Sequence, residues 1–338
     1  MMQRKWNKNN VIVFLLFISG ILLVALAVSV LALIGTKNQK PTTAEEPPLL
    51  VDGRLVMEHA AEYGVSTEYL QLLLPGYLVY VDGADYVFQP LDDRIPLHDY
   101  DWAYLTHDAG RIQYRDGRDV AYGVDVSTYQ GEIDWKAVAG DGIDFAMIRL
   151  GYRGYSQGGL AIDEYAEANL DGAAAAGLDV GAYFFSQAVT VAEAEEEARL
   201  VLAVLDGREL TYPVAFDMEE ITGDTARTQG LTVAERTEIT LAFCRTIQKG
   251  GYQPMIYGNI RWLAGRIDLT RLTQYPLWLA QYYEKPLFPY LFTMWQYTDS
   301  GTVSGIPTSV DINICFAPFS DSKREDGRVS RNGAIDNP

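Results

Sequence analysis

Apolar runs of two lengths organise the chain. Residues 11–35 (VIVFLLFISGILLVALAVSVLALIG) are 25 positions without a charge, whereas later apolar runs are short and bounded by turn residues. At 1.5 Å per residue the first run makes a helix of roughly 37 Å, enough to cross a hydrocarbon core. A cleaved secretory signal would have an apolar region of about 7 to 15 residues followed by a small-x-small site, so the run predicts an uncleaved transmembrane anchor. Arg4, Lys5 and Lys8 precede it, which by the positive-inside rule makes residues 1–10 a cytoplasmic tail and the rest extracellular. A cell-membrane protein with a single pass is the expectation. Residues 36–50 (TKNQKPTTAEEPPLL) read as an extended linker, and 319–338 as a flexible tail with almost nothing to bury.

From residue 119 the pattern alternates between strand and helix periods. The strand candidates are AYGVDVS (121–127), FAMIRLGY (145–152), LDVGAYFFSQ (178–187), YPVAFDME (212–219), YQPMIYGN (252–259), PLWLAQYY (276–283), FTMWQYT (292–298) and VDINICF (310–316). Helical patterns follow the second to fourth of these, as in VAEAEEEARLVLAVLD; shorter helices are expected after the first and fifth, and none after the sixth. Near-continuous apolar strands point to an α/β fold with a closed, incomplete (β/α) barrel, buried inside and out. An open doubly wound sheet would carry a Gly-rich phosphate loop after the first strand, and none is present. The connection DSGTVSGIPTS (299–309) is short and turn-rich, so the eighth strand is expected to run antiparallel and to begin at the active face.

Residues 51–118 carry a short helical pattern (MEHAAEYGVSTEYLQLLL), strand-like pieces (YLVYVDG, GRIQYRDGRD) and a hairpin signal at Asp116-Gly117. They show no chemistry, and the pattern fits either a small accessory domain or a stalk packed against the main domain.

Composition narrows the function. With 48% hydrophobic and 21% charged residues the chain is globular, and its net charge of −18 excludes a strongly basic nucleic-acid binder. Two cysteines, Cys244 and Cys315, are too few for a disulfide scaffold and are expected as buried free thiols. The three histidines (His59, His98, His107) are too dispersed for a zinc site or a Ser/His/Asp triad. The chemistry is therefore expected to run on carboxylates, with no metal, no cofactor and no obligate protein partner.

Asp217 and Glu219, two apart in the fourth strand, project to the same side with Cα atoms roughly 6.7 Å apart. Asp125 ends the first strand and Asp311 opens the eighth. A single strand-end acid is ordinarily solvated or caps a helix. Four converging on one rim raise the pKa of at least one of them, and an acid held protonated near neutral pH is what glycosidic cleavage needs beside a charge-stabilising carboxylate. Tyr152, Tyr183, Tyr257, Trp278, Tyr282, Trp295 and Tyr297 are aromatic positions on the same strands, some of them expected as platforms for sugar rings, with Gln296 as a further substrate contact.

The run YGVDVSTYQGEIDWKAVAGDGIDFAMIRLGYRG, the strand VAFDMEE, the pair WLAQY and WQYT, and the closing VDINICF together resemble the family 25 glycoside hydrolases, bacterial and phage muramidases, over about residues 119–318. The resemblance implies a (β/α)5(β)3 barrel that cuts the β-1,4 bond between N-acetylmuramic acid and N-acetylglucosamine in peptidoglycan glycan strands. It implies Glu219 as general acid, Asp217 as the partner that stabilises charge or orients the substrate acetamido group, and Asp125 and Asp311 as supporting acids. A membrane-tethered glycan-binding protein that does not cut, and a hydrolase of a related glycan such as chitin, are the rival readings.

Overall fold

The computed structural model describes residues 57–319, apart from 58, 61–63, 109 and 222–225. The expected cytoplasmic tail, membrane span and linker, and the tail from residue 320, lie outside the described residues. No helix among the described residues is long and apolar enough to cross a membrane.

Eight strands close into a barrel. They are β5 (Ala121–Val126), β6 (Phe145–Arg153), β8 (Asp179–Ser186), β9 (Val214–Met218), β10 (Pro254–Asn259), β11 (Leu277–Ala280), β12 (Met294–Gly301) and β13 (Val310–Cys315), and each lies in one of the eight expected runs, give or take its ends. The order is β5-β13-β12-β11-β10-β9-β8-β6, and closure comes from β5 pairing with β6 as well as with β13. All neighbours are parallel except β13, which runs antiparallel to both β12 and β5. A three-residue strand that the sequence pattern did not show, β7 (Leu160–Ile162), adds to the end of β6.

Alternation along the strands separates two cores. Ala121, Phe145, Met147, Ala215, Met255, Trp278, Met294 and Cys315 form one apolar cluster, which is the barrel interior. Val124, Ile148, Phe184, Phe216, Ile256, Leu279 and Ile314, at the opposite parity, pack outward against the helices. Interior packing is tight: the Phe145 and Tyr212 rings stack at 4.3 Å, and a Cβ on Gly123 would sit 2.4 Å from the Phe145 ring. A side chain there would have to displace the Phe145 ring.

The helices α2 (Trp135–Gly140), α3 (Ala166–Ala175), α4 (Val191–Leu205), α5 (Val233–Lys249) and α6 (Ile260–Gly265) follow five of the strands, and none follows β11 or β12. The starts of all but α3 are capped by a side chain, Asp134 capping α2. Thr190 caps α4, Thr232 and Glu235 form a reciprocal box on α5, and Asn259 accepts from the Trp262 amide at 2.9 Å.

The segment before the barrel contains α1 (Thr67–Leu73) and two hairpins, β1 (Tyr77–Asp82) with β2 (Asp85–Pro90), and β3 (Leu105–Asp108) with β4 (Arg111–Tyr114). Asp116-Gly117 closes no hairpin. It links β4 to β5, which lie in different sheets, and Asp116 spends its carboxylate on Tyr114 and Arg118. The segment is packed on the barrel, not held away from it. Tyr100 stacks on Phe316 at 4.3 Å, Trp102 and Tyr114 join Phe292 and Phe316, and the Leu291 amide donates to Pro96. Phe319, expected in the tail, instead packs edge-on against Tyr212 at 5.2 Å. Cys244 and Cys315 are both buried, and neither forms a disulfide among the described residues.

Candidate active site

Inward parity at the upper ends of the strands brings the acids together. Asp217 is on β9 and Glu219, two residues on and the first beyond the strand, lines the same cavity, while Asp125 on β5 stands opposite Asp311 on β13 in the antiparallel register. A cavity of about 250 Å³ is lined by all four, and also by Tyr183, Tyr257, Trp278, Tyr282 and Gln296. Because β13 is antiparallel, its first residues and the last residues of β5 share one end of the barrel.

Two carboxyl pairs result. Asp125 Oδ2 accepts from Gln296 Nε2 at 2.9 Å and from Asn313 Nδ2 at 2.8 Å, and its carboxyl is hydrogen-bonded to that of Asp311. Asp217 and Glu219 are likewise hydrogen-bonded to each other. Burial pushes Asp125 up to about 6 against the pull of its amide donors. Asp311 is pushed up to about 9 by burial and by the charge of Asp125. Glu219 is raised by burial and then by Asp125. Asp217 is raised well above the carboxylate range by burial and by Glu219, with Arg149 opposing. Asp125 and Asp311 thus hold a proton between them at neutral pH, and Asp217 and Glu219 are both driven toward their protonated forms, because two like charges in a buried cleft cannot both ionise cheaply. Asp217 Oδ1 is buried and accepts no hydrogen bond, and Asp217 lines the cavity.

Gln296 is an organiser. Expected as a substrate contact, it is 2% exposed: its Oε1 accepts from Tyr257 and Tyr282 hydroxyls at 2.9 and 2.8 Å while its amide holds Asp125. Trp278, 1% exposed, donates its indole N–H to Asn313 at 2.8 Å and forms a wall. Tyr282 is the half-exposed ring of the set. Tyr152 does not line the cavity; it flanks the Arg149 guanidinium at 5.4 Å, opposite Tyr129 at 5.1 Å. Trp295 and Tyr297 have the outward parity of β12 and are buried in the outer core. They are no sugar platforms.

Arg149, Asn313, Tyr129 and Gln187 were not singled out from the sequence. Arg149 lines the cavity and is fixed by Asp163 at 2.7 Å. Gln187 Nε2 donates to the Glu219 carbonyl at 3.1 Å, and Thr228 holds Gln187. A parity count would have found two of them: Arg149 shares the inward face with Phe145 and Met147, and Asn313 shares it with Asp311.

Comparison with known proteins agrees with this geometry. The family described as glycosyl hydrolases family 25 matches residues 124–306. YegX of Escherichia coli O157:H7 is 31% identical over 207 residues, which are 57% of this chain and 68% of that protein. The autolytic lysozyme of Clostridium acetobutylicum is 26% identical over 192 residues, 56% of this chain, and the match spans 54% of the lysozyme's own length. The modular autolysin LytC from Streptococcus pneumoniae, solved with a synthetic peptidoglycan ligand, shares the fold with a TM-score of 0.52 at 20% identity, over 71% of this chain and 56% of LytC. With its barrel matched by the family across more than half its length, the chain belongs to the glycosyl hydrolases of family 25.

Proposed function

We propose that the protein is an N-acetylmuramidase, which cleaves the β-1,4 bond between N-acetylmuramic acid and N-acetylglucosamine in peptidoglycan. The single observation that carries the reading is the pair of buried carboxyls Asp217 and Glu219 facing one cavity together with Asp125 and Asp311. Glu219, less buried and beyond the strand end, is the general acid that protonates the leaving oxygen. Asp217 is the partner that stabilises positive charge or holds the acetamido group. A substrate amide N–H donated to the unpartnered Asp217 Oδ1 would favour the ionised form of Asp217 and leave the proton on Glu219, which is the division of labour the chemistry requires. Asp125 and Asp311 sustain the negative field and keep that proton in place. Tyr282, half-exposed at the cavity wall, is the sugar platform. The named activity of the Clostridium relative, an autolytic lysozyme, supports the choice of peptidoglycan. The uncharged run 11–35 would tether the enzyme to the cell membrane with its barrel outside, beside the wall it cuts.

Digestion of purified peptidoglycan with product mass spectrometry tests this. Fragments ending in reducing N-acetylmuramic acid are expected. Reducing N-acetylglucosamine ends, or cleavage of chitin in preference, would place the activity on another bond, and binding without any release would make the protein a glycan-binding scaffold.

A further inference from the structure

The hairpin ahead of the family domain reaches the catalytic strand end. Asp82, at the tip of β1, accepts from Arg266 Nη2 at 2.8 and 2.9 Å and lies 3.7 Å from Arg261 Nη1. Both arginines also bind Glu220, Arg266 through Nε at 2.6 Å and Arg261 through Nη2 at 2.8 Å. The hairpin approaches closely because position 265 is glycine: a Cβ there would stand 2.8 Å from the Tyr80 hydroxyl. Asp82, Gly83, Glu219 and Glu220 share the wall of a second cavity of about 240 Å³.

Among the described residues, Glu219 has little else to hold its backbone. The β9 ladder ends at Met218, paired with Ser186, and the Glu219 carbonyl is tethered by Gln187. The next side chain, Glu220, is the second tether, and its two guanidinium partners are both shared with Asp82. The four side chains are 22–30% exposed, partly shielded from solvent, so their pairing is screened less than a surface bridge. Two arginines are shared between two carboxylates, and Arg236, which lines the same cavity, adds a third cation near Glu220. Without Asp82, two cations would converge on one carboxylate and Arg266 Nη2 would lose its partner.

We propose that Asp82 is a positioning residue for the proton donor: by aligning Arg261 and Arg266 on Glu220, it fixes the strand end that carries Glu219. The segment ahead of the family domain is then part of the catalytic unit. This rests on the assignment of Glu219 as general acid.

The test compares peptidoglycan with an aryl glycoside whose very good leaving group needs little protonation. Asp82→Asn should lower kcat on peptidoglycan on the order of tenfold, with KM within about twofold, because the donor is displaced and glycan binding is not. Turnover of the aryl glycoside should stay near that of the unsubstituted protein, and Asp82→Glu should recover part of the loss. An unchanged kcat, or an equal loss on both substrates, would overturn the proposal. A double-mutant cycle needs peptidoglycan alone: Asp82→Asn combined with Glu220→Gln should be no slower than Glu220→Gln, whereas additive losses would show that Asp82 does not act through Glu220. An unsubstituted protein inactive on peptidoglycan would sink the muramidase reading itself, a distinct result.

Discussion

Asp311 stands directly opposite Asp125 across the antiparallel β13–β5 ladder, and their carboxyl groups hydrogen-bond to one another. Like charges in that cross-strand position are destabilising unless a proton is shared. Asn313 and Gln296 both donate to Asp125 Oδ2, and the charge of Asp125 in turn raises the pKa of Glu219.

Glu219→Gln keeps shape and hydrogen-bonding reach but cannot deliver a proton. Turnover of peptidoglycan should fall by about 10² to 10⁴ with glycan binding little changed. A good-leaving-group aryl glycoside should partly rescue Glu219→Gln and not Asp217→Asn; steady-state rates on the two substrates check this, and the reverse rescue would swap the roles.

Glu219 works protonated, and burial and Asp125 raise its pKa. Activity should therefore fall as pH rises through that raised value. In Asp125→Asn the charge that raises it is gone, so the alkaline limb of the kcat profile should move to lower pH.

Stability should follow the same carboxyls. Asp125 at about 6 and Asp311 at about 9 bind protons more tightly folded than unfolded, where a carboxylate titrates near about 4. Their contribution is fully present below the unfolded value and is lost as pH rises through the folded ones. Thermal melts should show Tm declining between pH 5 and 9, and Asp311→Asn should flatten that decline.

Gln296→Leu would strand Asp125 short of one donor and leave the buried Tyr257 hydroxyl without its acceptor. A loss of about 1–3 kcal/mol is expected in denaturant unfolding, together with a fall in kcat. An unaffected kcat would show that Gln296 does not organise the site.

Gly123→Ala tests the barrel filling apart from the chemistry. The added methyl meets the Phe145 ring, so unfolding should become easier by about 1–3 kcal/mol, and Phe145→Leu in the same chain should give part of it back.

The eight barrel runs were legible in the sequence because each is an apolar stretch between turn residues, and the turn-rich 299–309 connection was enough to reverse the last strand. The acids were legible because they interrupt those runs at one parity. Side-chain direction around a closed barrel was not. Trp295 and Tyr297 resemble Trp278 in composition and context, and only the register of β12 turns them outward while Gln296 turns in. Nor does sequence spacing bring Asp82 to Glu220, since their link through Arg266 spans 184 residues on one side. Local pattern determines which residues are strand or helix, because period and turn chemistry act within a few positions. Which carboxyls share a proton, and which arginines reach them, is decided by long-range packing, because charge and burial depend on distance in space and not along the chain.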